Sequence, residues 1–152
     1  MTRPRRLLLL NGPNLGILGR RKPEVYGTTT LPEIVQDVEK ELAADGWAVE
    51  AVQREGEGEL ITAIQDHWDD TDGAVVNPGA LMMTGWGLRD ALESYPQPWV
   101  EVHISNVWAR ESFRHESVLS PLAHGVIVGL GPRAYRLAAR AVVELAGEGS
   151  IS

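Results

Sequence analysis

The feature that most restricts how this chain can fold is an alternation of two kinds of segment. Short apolar runs, "RLLLLN" (6–11), "WAVEAVQ" (47–53), "GAVVN" (73–77), "WVEVHIS" (99–105) and "GVIVG" (125–129), are separated by stretches with helical spacing. In the first such stretch Leu31, Ile34, Val35, Val38 and Leu42 fall on one helical face, and "TLPE" at 30–33 supplies a capping box with proline in the first turn. Leu60, Ile61, Ile64 and Trp68 make a second stripe, Leu88, Ala91 and Leu92 a shorter third, and Tyr135, Ala138, Ala139, Val142 and Leu145 a fourth. Strands that are apolar on both faces and alternate with helices predict an α/β fold, a five-stranded parallel sheet with helices covering both faces.

A length of 152 residues fits one domain, 1–152, with its core at about 7–145. There is no repeat, linker or low-complexity tract, and only the tail "AGEGSIS" is expected to fray. The longest aliphatic run, Leu7 to Leu10, is far short of a bilayer span. "MTRPRRLLLLN" begins like a signal peptide, but its apolar patch is too short and "NGPN" replaces a cleavage site. With no cysteine there is no disulfide framework and no thiol chemistry, so a cytoplasmic enzyme or binding protein is expected.

A formal charge of −7 argues against nucleic acid as a partner, because phosphate binding needs a basic face. Two local basic clusters interrupt that acidity: Arg20, Arg21 and Lys22 adjoin, and Arg110 and Arg114 lie a helical turn apart. Surface charge is the bland reading of each; together they allow a small anion as ligand. In an open parallel sheet, ligands bind outside the carboxyl ends of the strands where the strand order reverses. The polar and glycine-rich stretches "NGPNLGILGRRKPEVYG", "NPGALMMTG" and "GLGPR" come after strands one, three and five and "HISN" ends strand four, so all collect at that edge.

Several familiar motifs fail. "GLGPRA" matches a dinucleotide glycine pattern but lies after the last strand, and is read as a tight turn into the final helix. There is no P-loop and no nucleophile elbow, and His67, His103, His115 and His124 lack metal-ligand spacing. No metal and no organic cofactor is expected.

The chemistry lies elsewhere, in a loop holding Asn14, Arg20, Arg21 and Tyr26, and in His103 at a strand end. A tyrosine is a poor base at neutral pH, with a reference pKa of about 10, but neighbouring guanidinium charge favours the phenolate. A histidine completes an acid/base pair, and Glu101, two residues away on the same side of the strand, can orient it or hold it charged. Taken singly, a loop tyrosine is usually packing and a strand-end histidine is usually just hydrogen-bonded. Their joint placement at one sheet edge favours the functional reading.

"NGPNLGILGRRKPEVYG", "NPGA", "EVHISNV", "FRH", "LSPLAHGVIVGLG" and the tyrosine of the last helix together closely resemble the type II 3-dehydroquinate dehydratases, over about 7–145. The resemblance implies a flavodoxin-like three-layer sandwich, no cofactor, and a dodecamer assembled from trimers. It implies anti elimination of water from 3-dehydroquinate, a small anionic carbocycle, to give 3-dehydroshikimate through an enolate. In that case Tyr26 takes the proton beside the ketone, His103 protonates the departing hydroxyl, and Glu101 orients His103. Arg21 resembles the lid arginine that favours the tyrosinate, Arg110 adds positive charge, and Asn14, through a water, stabilises the enolate oxygen. Asn77, the backbone of Ile104 and the amide and hydroxyl of Ser105 hold the carboxylate; Arg114 contacts ring hydroxyls, and Asp90 reaches in from a neighbouring subunit.

One stretch departs from the family. After the third strand the family usually reads N-x-G-x-x-T-H-T-S, and here the matching residues are Asn77, Gly79, Met82, Met83, Thr84 and Gly85. Periodicity alone reads the two methionines as core; the resemblance puts Met83 where the family's histidine binds ring hydroxyls. Methionine is a weak acceptor and no practical donor, so recognition at that end loses a partner. Gln53 to Glu55 (family Q-S-N), Trp108 and Glu116, the latter two where histidine is common, depart as well. A second reading is therefore the same elimination on a modified ring, such as an amino analogue. A third, a non-catalytic binding protein, is disfavoured because a scaffold has no need of Tyr26, Arg21, Asn14, Glu101 and His103 together.

Overall fold

The computed structural model describes residues 3–149. Strands β1 (Arg5–Asn11), β2 (Trp47–Gln53), β3 (Gly73–Asn77), β4 (Trp99–His103) and β5 (Gly125–Val128) form one parallel sheet in the order β2-β1-β3-β4-β5. Side chains alternate across a strand, so β1 feeds two cores at once. Leu7 and Leu9 pack with α2 (Leu31–Ala43) and α5 (Arg133–Gly149), while Leu8 and Leu10 pack with α3 (Glu57–Asp66) and α4 (Trp86–Ser94). All four leucines are at most 1% exposed, and burying each contributes roughly 1.5–3 kcal/mol. Helices on both faces of a parallel sheet in this order make the flavodoxin-like fold.

The start of α2 follows its local signal with one difference. Thr30 Oγ1 accepts the Glu33 backbone N–H at 3.3 Å but donates to Glu33 Oε1 at 3.1 Å, so the glutamate returns to the cap's hydroxyl. Trp68 lies beyond the end of α3, packed edge-on against Tyr95 with ring centroids 6.0 Å apart. Strand β4 ends at His103, before Ile104 and Ser105. Helix α5 continues through Gly149 with Ala146 buried, so residues 146–149 of the tail do not fray; residues 150–152 lie outside the described residues. "GLGPRA" is indeed a turn: Gly129, Leu130 and Gly131 all have positive φ (88°, 70° and 67°) and lead directly into α5. Gly129 and Gly131 donate N–H groups to the carbonyls of His103 and Ile104 at 2.9 and 3.1 Å, pinning the exit of β4.

Candidate active site

From β1 the chain crosses to β2 on one side of the sheet, while β3 lies on the other, so β1 and β3 flank the point where strand order reverses. Their exits touch. Gly12 N–H donates to Asn77 O at 2.9 Å, and a Cβ at Gly12 would sit 2.6 Å from Pro78 O, against backbone that cannot yield. Only glycine permits that approach. Above it opens a cleft, solvent-accessible at its mouth, lined by Asn14, Arg21, Tyr26, Asn77, Met83, His103, Ile104, Ser105, Arg110 and Arg114 among others.

Tyr26 ends the four-residue helix α1 (Pro23–Tyr26), too short to show any periodicity in the sequence, and is only 8% exposed. Arg110 Nη1 donates to the Tyr26 hydroxyl oxygen at 2.8 Å and to Ser105 Oγ at 3.3 Å. The Arg21 and Arg110 guanidinium carbons lie 4.8 and 5.3 Å from the Tyr26 ring centroid. Two guanidinium groups therefore lie against one phenol ring. Arg20, by contrast, is exposed and does not line the cleft.

Glu101 and His103 alternate with Val100 and Val102, so both project to the α3 and α4 side. His103 Nε2 is 2.5 Å from Glu101 Oε2, and the carboxylate is completely buried. It is also fully furnished with donors: Ser120 Oγ at 2.7 Å from Oε1, and Ser117 Oγ at 3.3 Å from both oxygens. Glu101 therefore stands behind His103 rather than in the cleft. With Nε2 committed, Nδ1 is the ring nitrogen left for the cleft, where His103 is one of the lining residues.

Asn14 sits in a left-handed conformation, φ 68°, which asparagine tolerates better than most residues. Its N–H donates to Glu55 Oε2 at 3.2 Å, while Gln53 Nε2 donates to Glu55 Oε1 at 2.6 Å and to Gly12 O at 3.0 Å. The Gln53 bond, then the Asn14 N–H, holds the Glu55 carboxyl below the usual carboxylate range. Arg114 pairs with Glu111 at 2.6 Å, and that bond likewise holds the Glu111 carboxyl low. Met83 is half-buried on the cleft wall; Met82 is buried and stands between the cleft and a second, mostly apolar cavity that reaches Trp108, His115 and Glu116. Asp90 is exposed on α4 and does not line this chain's own cleft.

Four further polar groups have no role legible in the sequence: Ser117 and Ser120 on Glu101, and Asn11 and Tyr135, which join Asn77 in a buried hydrogen-bond chain. Their partners are 16 to 124 residues away, and only the burial of polar residues at strand and helix ends could have flagged them. Among the described residues there is no cluster of three or more histidine, aspartate or glutamate side chains that could hold a metal ion, and no helix is long and apolar enough to cross a membrane.

Residues 5–143 match the family described as dehydroquinase class II. A 3-dehydroquinate dehydratase of Roseiflexus castenholzii is 48% identical over 144 residues, 95% of this chain and 92% of that protein. A catabolic 3-dehydroquinase of Aspergillus clavatus is 46% identical over 132 residues, 87% of this chain and 88% of that one. The crystal structure of the type II dehydroquinase from Propionibacterium acnes superposes with a TM-score of 0.88 at 40% identity, covering 95% of this chain and 99% of its own. The sheet order, the tyrosine and histidine brought to one cleft, and near-full-length similarity agree: this chain belongs to the class II dehydroquinase family.

Proposed function

We propose that this protein is a hydro-lyase that removes water from 3-dehydroquinate to give 3-dehydroshikimate, with Tyr26 as base and His103 as acid. The observation that carries the reading is the Tyr26 hydroxyl, bound by Arg110 and flanked by Arg21, in the same cleft as the His103 and Glu101 pair. As phenolate, Tyr26 takes the proton beside the ketone, and the C–H electron pair becomes the enolate π bond while the carbonyl oxygen gains charge. Asn14, acting through a water, stabilises that oxygen. The enolate then collapses to the enone, expelling the hydroxyl group on the next carbon, and His103 supplies the proton that lets it leave as water.

Glu101 acts through His103, keeping the imidazole oriented and stabilising it when charged. Asn77, Ser105 and the Ile104 backbone hold the substrate carboxylate; Arg114 meets the ring hydroxyls. Asp90, exposed on α4, completes the cleft of a neighbouring subunit in a dodecamer built from trimers. No cofactor takes part, and the enzyme works in the cytoplasm. The single-domain reading, 1–152, goes with this assignment.

Met83 on the cleft wall favours a second reading for substrate choice, the same elimination on a ring altered at its hydroxyl end. Incubating the protein with 3-dehydroquinate and following the ultraviolet absorbance of the conjugated enone tests the assignment. Turnover abolished by Tyr26→Phe is expected. No turnover on 3-dehydroquinate, with dehydration of a ring-modified analogue, transfers the chemistry to the second reading; no turnover on either, with Tyr26→Phe indistinguishable, refutes both.

A further inference from the structure

The carboxyl ends of three adjacent strands carry a row of side-chain amides. Asn11 pairs in register with Gln53 on one side and Asn77 on the other, and parallel pairing directs all three to the face of α2 and α5. Over Asn11 and Asn77 lies Tyr135, which α5 delivers from the first turn of its helix. Asn11 and Tyr135 are completely buried and Asn77 is 3% exposed. None of the proton-transfer chemistry uses Tyr135, and burial pushes its phenol well above the ordinary range, so it stays a neutral donor.

The hydrogen bonds of this group run in one direction. Gly79 N–H donates to Asn77 Oδ1 at 3.1 Å. Asn77 Nδ2 donates to the Tyr135 hydroxyl at 2.8 Å, and that hydroxyl donates to Asn11 Oδ1 at 2.7 Å. Asn11 Nδ2 donates to Val52 O at 3.3 Å. Both ends are backbone groups whose roles cannot change: an N–H at one end and a carbonyl at the other. Turning the Asn77 amide over would set its NH₂ against the Gly79 N–H, and turning Asn11 would set its oxygen against the Val52 carbonyl. One arrangement satisfies every group.

From this geometry we infer that Tyr135 is a positioning residue for substrate recognition: its hydroxyl locks the Asn77 amide so that a donor, not a carbonyl oxygen, faces the bound carboxylate. The inference rests on the reading that Asn77 holds that carboxylate. Asn77 lines the cleft, its Oδ1 is engaged by Gly79, and one Nδ2 hydrogen remains after Tyr135 is served. Without the Tyr135 hydroxyl the amide is held by the Gly79 N–H alone, and whenever it turns over its oxygen faces and repels the anion.

Tyr135→Phe keeps the ring in the core and removes one oxygen. The expected result is a KM for 3-dehydroquinate raised about tenfold, the scale of one hydrogen bond to a charged group, with the loss in KM and not in kcat. Asn11→Ala breaks the same chain one link further on and should raise KM likewise, giving a second variant should the first fold poorly. A purely structural role is separated by the double variant. If Tyr135 acts through Asn77, then Tyr135→Phe has no further effect on KM in the Asn77→Ala background. An equal effect in both backgrounds, or an unchanged KM in Tyr135→Phe while Asn77→Ala raises it, overturns the inference. An unchanged KM in Asn77→Ala itself overturns the underlying carboxylate reading instead.

Discussion

Replacing Glu101 by glutamine tests the link between the buried carboxylate and the proposed acid, His103. The carboxylate is an acceptor only, and three donors converge on it: His103 Nε2 and the hydroxyls of Ser117 and Ser120. Glutamine occupies the same volume. Its oxygen can take the imidazole N–H while its NH₂ turns toward Ser120 Oγ, which rotates to accept; Ser117 Oγ already accepts the Leu119 and Ser120 N–H groups and keeps its own hydrogen for the amide oxygen. Packing is therefore kept and a charge is removed. A hydrogen bond to a charged group contributes about 1.5–3 kcal/mol and a neutral one about 1 kcal/mol, so the bond that holds the imidazole in place weakens by about 0.5–2 kcal/mol, a fall of roughly 2- to 30-fold in kcat as the ring is less often aligned. KM should move less than about twofold, because Glu101 lies behind His103 and outside the cleft lining. The assay is the initial rate of enone formation across a substrate series, with Tm measured on the same preparations. Each kcal/mol of stability shifts Tm by about 2–4 °C in a chain of this length, so a change of a few degrees is the ceiling. An unaltered kcat, or a loss that appears as KM, refutes the argument that Glu101 works through the imidazole.

Met83→His restores a hydrogen-bonding group on the cleft wall. If hydroxyl recognition is what this position lacks, KM for 3-dehydroquinate falls about fivefold, on the order of 1 kcal/mol, with kcat little changed; a higher KM points to a ring modified at that end. Alkaline stability should report on Tyr95. Its hydroxyl lies 2.8 Å from Thr71 Oγ1, which already donates to His67 O, so Tyr95 must be the donor. Burial, opposed only in part by the Thr71 bond, pushes its phenol from 10.0 to about 12. A raised value keeps its stabilisation whole below about pH 10 and loses it as pH climbs toward 12, on the order of 3 kcal/mol. Urea unfolding of wild type should weaken across that window and that of Tyr95→Phe should weaken less; identical profiles would refute the assignment.

Much of this architecture is legible in the sequence because its signals are local. Apolar runs mark the strands, of which β1, β3 and β4 are buried on both faces while the edge strands β2 and β5 are partly exposed; the stripe from Leu31 to Leu42 marks α2, and the polar stretches after each strand mark the edge where the cleft lies. Boundaries are less legible. An apolar run does not reveal where its ladder of hydrogen bonds stops, so Ile104 and Ser105 read as strand although they follow β4, and Trp68 continues the stripe of α3 past the end of the helix. Least legible are the supports. That Ser120 holds Glu101, that Glu55 holds the Asn14 N–H, or that Tyr135 holds Asn11 is decided by the folded topology across 19, 41 and 124 residues. The resemblance names residues that meet the substrate; only coordinates show what keeps those residues still.

The contrast between the cleft's floor and its walls also bears on how such a protein can diverge. Asn11 and Asn77 are fastened to three strands and a helix, and Gly12 is pressed against Pro78, so a substitution there disturbs the sheet itself. Met83 and Glu116 lie in the connections between elements, and Trp108, in the single 3-10 turn Val107–Ala109, is largely exposed. Inheritance can therefore hold the reaction constant while the clientele drifts. Of the positions where this chain departs from the pattern the resemblance implies, Met83, Trp108 and Glu116 fall where drift is cheap, whereas Glu55 departs beside the floor, bound to Asn14 and Gln53.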